Sequence, residues 1–473
     1  MNALAPRAAS PEHEWKAIPL GELLLELRNG LVAVQEKELP GIPITRIETI
    51  SHGVVNLDRV RYVRDVPSEK LKRFWLKKGD LLFSHINSDL HLGKTAVVIS
   101  EVPLLHGMNL LLLRPDPNRL ASKFLHYWLD HCRRVGRFMA IAQHAVNQSS
   151  LNQQKISSLE IPLPPLGVQD EIVAEIEKQF SRLDEAVANL KRVKANLKRY
   201  KASVLKAAVE GRLVPTEAEL SRKEGRTCES GGNLAKHILR TRQSRWNGKG
   251  TYKVPSLPDE TRLPIAPIGW AWVTVEALAF VTKLAGFEYT KYVKYEERGD
   301  LAVIKAENAG PEGFRRTEFS RICSDTVSQL TRSQLKPGDL LMVFVGAGTG
   351  RVACVPDDQP YFLGPNISMI RIETAFADSR YLEHYLRSPL GYSLALGLVK
   401  AVAQPSLSMG TIRTIPVAMP PLSEQYRIVD EVDRRLSLVR GVEIQVDANL
   451  KRAQRLRQAI LQTAFEISAV ARQ

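Results

Sequence analysis

Apolar residues return every seven positions in two stretches of this chain. In residues 164–211, Ile176, Leu183, Leu190, Leu197 and Val204 fall seven apart, with Phe180, Val187, Val193 and Tyr200 filling in at three or four. In residues 420–473 the same slots hold Val432, Val439, Val446, Ala453 and Ile460. A 3.5-residue apolar spacing held over several heptads is the seam of a coiled coil. Both stretches open on a Pro-Pro pair, Pro164-Pro165-Leu166 with Gln169 and Pro420-Pro421-Leu422 with Gln425, and carry no proline afterwards. The pair stops an extended segment and lets a helix begin just beyond it. Roughly forty helical residues, rising about 1.5 Å each, predict a rod of about 60 Å. One such helix in water would leave its stripe exposed, so the two copies are expected to pack antiparallel on each other.

The two stretches are one repeat. Pro165 maps on Pro421 and Leu205 on Leu461, both at an offset of 256 and without a gap. The preceding residues repeat as well. Trp15, Leu20 and Leu23 return as Trp270, Val275 and Leu278; Gly79-Asp80-Leu81-Leu82 returns as Gly338-Asp339-Leu340-Leu341. Gly93-Lys94-Thr95-Ala96 becomes Gly350-Arg351-Val352-Ala353, and Asn109 becomes Asn366. Gln148 with Ser150-Leu151 becomes Gln404 with Ser406-Leu407. Between these landmarks the copies diverge, as two modules on a shared scaffold would when they read different things.

The chain therefore divides into a lead over 1–14, a module over 15–163, a helical spacer over 164–211, a polar basic linker over 212–267, a second module over 268–419 and a second spacer over 420–473. Within the first module, residues 42–47, 81–83, 96–99 and 110–113 read as strands and 122–135 as a helix. The predicted class is α+β, with two homologous mixed α/β modules joined and separated by an antiparallel coiled coil. The linker holds eleven Lys/Arg against six Asp/Glu, with glycines and prolines throughout; its residues 233–246 are compatible with a short basic helix.

Composition narrows the function. Apolar content of 44% and charged content of 25% are those of an ordinary soluble protein. No apolar run approaches a membrane span and no signal peptide is read. Four scattered cysteines, Cys132, Cys228, Cys323 and Cys354, form neither a disulfide framework nor a metal set and fit a reducing cytoplasm. A net charge of +15 points to a polyanion, with nucleic acid the leading partner.

The layout resembles the specificity (S) subunit of type I restriction-modification systems. The residues that carry the likeness are the two Gly-Asp-Leu-Leu runs, the paired Gly-Lys/Arg-x-Ala runs, the Ser-Leu pairs at 150–151 and 406–407, and the two Pro-Pro-Leu-x2-Gln heads. The resemblance implies two target-recognition domains and a non-catalytic subunit that binds double-stranded DNA. It also implies two methyltransferase (M) subunits, with restriction (R) subunits beyond them in the full complex. The implied target is split and asymmetric, with an unread gap, and the implied chemistry is adenine methylation or cleavage. S-adenosylmethionine would then sit on M, and this chain would carry no cofactor. A rod of this length, with one module toward each end, is expected to set half-sites about ten to eighteen base pairs apart, at about 3.4 Å per pair. The long linker departs from the family pattern. A recognition subunit of a type IIB or IIG system remains open on the same residues, as does, more distantly, a coiled-coil scaffold for proteins.

No catalytic residue is assigned. The Asn/Asp-Pro-Pro-aromatic tetrapeptide of an adenine methyltransferase is missing, and the histidines show no ligand spacing, so no metal is expected. Residues 344–350, Phe-Val-Gly-Ala-Gly-Thr-Gly, mimic a nucleotide-binding loop, but the first module has no glycine there before Gly93, and a tight turn is expected. Candidate DNA contacts are Lys94 and Arg351, each following a turn, with Asn87, Ser88, His91 and Thr349 in the same predicted loops. Gln148, Ser150, Gln404 and Ser406 are candidates too, with capping ahead of the rod as the alternative role. Asn109 and Asn366 are expected to fix turns. The basic stretch 186–206, without one acid, would face DNA, an M subunit or solvent.

Overall fold

A computed structural model describes residues 15–50, 53–146, 148–246, 251–373, 375–398 and 406–466. The chain forms two compact units, one of residues up to 192 together with those from 446 onward, the other of residues 193–445. Each unit holds one module and part of both long helices. A helix with one apolar stripe has no core of its own, so its halves are counted with the modules they cover.

The first unit begins with β1 (Lys16–Pro19), β2 (Leu24–Asn29), β3 (Ile42–Ile44), β4 (Arg61–Val63) and α1 (Ser68–Phe74). There follow β5 (Leu81–Phe83), β6 (Ile86–Asn87), β7 (Thr95–Val97), β8 (Leu111–Pro115), α2 (Ser122–Arg134) and α3 (Arg137–Ile141). The module closes with β9 (Gln143–Ala145), β10 (Gln148–Ser150), α4 (Gln153–Ser157) and β11 (Glu160–Leu163), ahead of α5 (Leu166–Val209). The main sheet runs β2-β8-β5-β7. Its strands are apolar on both faces, and the two-residue period sorts them. Leu81, Phe83, Leu111 and Leu113 join one core with Phe124 and Trp128 of α2, while Leu82 and Leu112 join another with Ala96 and Leu104. β1 pairs antiparallel with β11, Ile18 opposite Ile161, which returns the chain to its start before the helix.

The second unit adds α6 (Glu217–Lys223) and α7 (Gly231–Arg245), then β12 (Ala271–Thr274), α8 (Val275–Leu278), β13 (Ala279–Lys283) and α9 (Gly286–Tyr292). Next come β14 (Leu301–Ile304), β15 (Ala309–Gly310), β16 (Gly313–Phe314), β17 (Ser320–Ile322) and β18 (Gln334–Leu335). The module ends with β19 (Leu340–Val343), β20 (Val352–Cys354), β21 (Tyr361–Leu363), β22 (Ile367–Ile372), α10 (Ser379–Arg387), α11 (Pro389–Gly397), α12 (Met409–Arg413) and β23 (Pro416–Met419), and α13 (Leu422–Glu466) follows. Its sheet β13-β22-β19-β20 repeats the order of the first, and β12 pairs with β23 as β1 does with β11. A further sheet, β17-β14-β21-β18, fills the span where the first module has the β3–β4 pair, two short 3-10 turns and α1. The repeat is thus in the scaffold and the divergence in the insert.

Antiparallel pairing of the long helices holds within each unit. In the first, Ile172, Val173, Ile176 and Phe180 of α5 share a core with Ile460, Leu461 and Phe465 of α13. Further along α5, Asp184 accepts from Arg457, 2.7 Å away, whose guanidinium lies 4.2 Å from the Phe180 ring centre. In the second, Lys201 meets Glu443 at 2.7 Å, and the later residues Val204, Leu205, Ala208 and Val209 share a core with the earlier Ile428, Val429, Val432 and Leu436. Ile176, Val204, Val432, Val439, Val446, Ala453 and Ile460 are buried, and Leu183, Leu190 and Leu197 half-buried. Val193 and Tyr200 do not fill the seam as expected. They stay 39% and 45% exposed, because two helices cover only a narrow stripe and positions at its edge face water.

The heads of both helices are fastened alike. Gln169 is fully buried; its Oε1 accepts from the Ala121 amide at 2.8 Å, and its Nε2 donates to the Arg119 and Pro164 carbonyls at 2.9 and 2.8 Å. Gln425 repeats this with the Asp378 amide at 2.8 Å and the Phe376 and Pro420 carbonyls at 2.7 and 2.8 Å. The motif glutamine is a clasp between the rod and the loop that enters α2 or α10.

The span 212–267 corrects the expectation of a linker. Thr216 and Glu219 form a capping box at the start of α6, whose Glu217 takes Arg427 of α13 at 3.0 Å. Leu234, Ala235 and Ile238 of α7 enter the core that holds Trp270 and Trp272. Gly231 lies so close to the Trp270 carbonyl that a Cβ would sit 1.8 Å from it. The short basic helix expected over 233–246 is α7, and its three apolar residues suffice to seat it.

Candidate nucleic-acid interface

In the first module the candidate residues gather at the end of the main sheet. β6, β10 and β9 form a small antiparallel sheet, with Ser149 opposite Asn87 and His144. The buried Ser149 hydroxyl donates to Asp89 and lies 2.9 Å from His144 Nδ1, which ties the hairpin to the 88–91 turn. Asn87 belongs to a strand rather than to the loop; its Nδ2 donates to Ser84 at 3.1 Å and its Oδ1 accepts from the Ser88 amide. Ser88 and Gln148 are exposed, and Ser150 is half-buried. Gln143, His144, Ala145 and Val146 are exposed on the same hairpin, Val146 at 92%, and Leu90 at 75% stands in the adjoining turn. A two-stranded ribbon of this width fits a major groove, where carboxamides pair with adenine edges and methyl groups meet thymine. These hairpin residues escaped the sequence reading because a short polar run has no apolar alternation to betray a strand.

Gly93 has φ 77° and packs against Phe138, which turns the chain into β7 with Lys94 half-buried at the bend. Burial and the nearby Arg133 guanidinium lower the Lys94 pKa, opposed by Asp130. Burial, Lys94 and Arg133 likewise lower that of His91. Burial is the first cause in both, and the neighbouring cations add to it, a repulsion that a phosphate would relieve.

The second module builds the same corner differently. Val345 bridges Ser406, and the Leu407 amide donates to the Phe344 carbonyl at 2.8 Å, as the Leu151 amide does to His85. Residues 344–350 make a tight turn: Gly346 and Gly350 have φ 102° and 84°, and the Gly350 amide donates to Val343. A strand, β20, follows it rather than a helix, so the loop does not lead into a helix N-terminus as a phosphate-binding loop does. Thr349 is buried and its hydroxyl donates to the Gly346 carbonyl at 2.7 Å, so it shapes the turn. Arg351 is half-buried beside Gly348. Lys283, unremarked in the sequence, sits 5.2 Å from the Phe344 ring centre and adds a cation to this corner. Gln404 lies outside the described residues. Asn109 and Asn366 both have positive φ, 70° and 64°, and fix equivalent turns.

Among the described residues no group of His, Cys, Asp and Glu is placed to hold a metal, and no helix is long and apolar enough to cross a membrane. Both corners offer cations and apolar groups, and the first also carboxamides, the vocabulary of DNA contact.

Comparison with known proteins agrees. Residues 12–199 and 272–445 match the family described as the type I restriction modification DNA specificity domain. A putative type I restriction enzyme MjaX specificity subunit of Methanocaldococcus jannaschii is 44% identical over 184 residues, 37% of this chain and 43% of its own. The EcoBI specificity subunit of Escherichia coli is 21% identical over 427 residues, 90% of this chain and 79% of its own. The match thus spans less than half of the first relative's length. Among solved structures, a chain from work on complex assembly and conformational transition of the type I R-M system aligns with TM-score 0.61 at 17% identity, over 96% of this chain and 97% of its own. The HsdS subunit of Thermoanaerobacter tengcongensis aligns with TM-score 0.51 at 16% identity, with the same coverages. These two share the fold. With a family match over both modules and the heads of both long helices, the chain belongs to the type I restriction-modification DNA specificity subunits.

Proposed function

We propose that this chain reads a bipartite, asymmetric DNA target, one half-site per module, and recruits methyltransferase (M) subunits and, through them, restriction (R) subunits. It performs no chemistry itself. Adenine methylation and its S-adenosylmethionine belong to M. The observation that carries the reading is the doubled scaffold: one sheet order and one glutamine clasp in both modules, with different side chains on the same corner. Duplication supplies two readers, and divergence lets them read different half-sites.

Recruitment is supported by apolar surface on the long helices. Leu438 and Val442, one turn apart on α13, are 62% and 46% exposed, and Ile444 is 67% exposed. A helix face of this kind suits a partner helix. Co-expression with the cognate M subunit, followed by mapping of methylated adenines, tests target, partner and reaction together. A single continuous methylated motif would overturn the two-reader account, and absence of methylation with a soluble complex would overturn recruitment for catalysis.

A further inference from the structure

The second long helix carries a basic run that helix pairing uses only in part. From Lys451 to Gln458, α13 holds Lys451, Arg452, Arg455 and Arg457 and no acid. Arg457 is committed to Asp184 and Phe180. Lys451, Gln454, Arg455 and Gln458 recur at three and four, so they share one face, opposite the buried Ala453 and Ile460. With Arg134, at the C-terminal end of α2, they line an open cleft of about 600 Å³ in the first unit.

The lining is three cations and two carboxamides. Pockets for small organic ligands are mostly apolar, so this one suits an anion, and its open form suits a chain that continues past it rather than an enclosed ion. The cleft is also joined to the recognition corner. Arg134 and Arg133 share the Asp130 carboxylate at 2.8 and 2.6 Å, which leaves this trio a net positive charge, and Arg133 is the guanidinium whose field reaches Lys94 and His91. Cations therefore recur from the turn at Lys94, past Arg133 and Arg134 with Asp130 between them, to α13.

We infer that the cleft of Arg134, Lys451, Gln454, Arg455 and Gln458 is a sequence-independent site for the sugar-phosphate backbone of the duplex that the first module reads. This rests on the proposed DNA-reading function and adds to it a contact on the rod. The second module is built differently here: α10 ends at Arg387 and α11 begins at Pro389, where α2 runs on to Arg134.

The test is Lys451→Ala with Arg455→Ala in the full chain, both at exposed helix positions where alanine favours the helix. An unchanged thermal transition confirms folding. Binding to a duplex with the mapped target, and to one with it scrambled, is measured across a salt series. The expected result is a slope of log K against log salt shallower by about one per cation removed, with the same fold-loss on both duplexes. An unchanged slope overturns the inference, as does a loss confined to the target duplex. So does intact DNA binding with loss of M, which would make the cleft a dock for an acidic protein surface. If the wild-type chain shows no salt-dependent DNA binding, it is the proposed function that fails.

Discussion

The guanidinium of Arg371 forks onto the carboxylate of Asp339, Nε to Oδ1 at 2.8 Å and Nη2 to Oδ2 at 2.6 Å, and Arg114 holds Asp80 the same way at 2.7 and 2.8 Å. Both aspartates are buried, and each also accepts from the amide three residues before it, Lys336 or Lys77. The acid of the Gly-Asp-Leu-Leu run is therefore a brace across the sheet, β19 to β22 and β5 to β8, and no catalytic group.

Removing one partner of such a pair strands a charge with little water around it. Asp339→Asn is expected to destabilise the second unit by about 3 kcal/mol. Asp80→Asn is expected to cost less, because Arg114 keeps Glu26 as a second carboxylate. Urea unfolding of the two variants checks the order as well as the size.

Gln169→Ala and Gln425→Ala each remove three hydrogen bonds and leave a half-buried amide, that of Ala121 or Asp378, without its acceptor. The expected cost is about 2–4 kcal/mol each. Hydrogen exchange should quicken first at the head of α5 or α13, ahead of the sheet.

Acid should loosen the first unit. His106 is fully buried; its Nε2 donates to the Leu110 carbonyl at 3.1 Å, and its Nδ1 has no partner, so burial, with Arg28 adding to it, pushes its pKa down to about 3. Burial lowers that of His85 to about 4. Depressed histidines favour the neutral folded state. Their stability contribution is complete above the unfolded value near 6.5 and drains away as pH falls from there toward 3 to 4, because only the unfolded chain takes up the proton. Each is worth up to about 1.4 kcal/mol per pH unit. His106→Leu should flatten the fall in urea midpoint between pH 7 and pH 5.

Lys94→Ala and Arg351→Ala are expected to weaken DNA binding with little effect on stability. A loss equal on all duplexes, with a salt slope shallower by about one, marks a phosphate contact, and relaxed discrimination at one position of a half-site marks a guanine contact. Titrations against single-base variants separate the two.

Leu438→Lys is expected to raise the solubility of the chain expressed alone and to reduce co-purification with M. If M binding is untouched, that face is no dock.

What the sequence determined by itself was whatever is written in local repetition: heptads, Pro-Pro heads, paired Gly-Asp-Leu-Leu runs. These act through near neighbours or through a copy at fixed offset, so β5, β19 and α2 fall where the apolar runs lie, and the buried seam residues where the heptads lie. The family resemblance rested on the same residues and was upheld. Only tertiary structure could decide the rest. Gln169 and Asp80 look like surface polar residues until the carbonyls and guanidinium that satisfy them arrive from about fifty and about thirty residues away. The helix α7 was legible but its packing was not, because three apolar side chains acquire a core only once Trp270 and Trp272 are beside them. The β6–β10 pairing and the Arg134 cleft are likewise built from segments that no local pattern joins, since burial and charge fields depend on proximity in space and sequence records proximity along the chain.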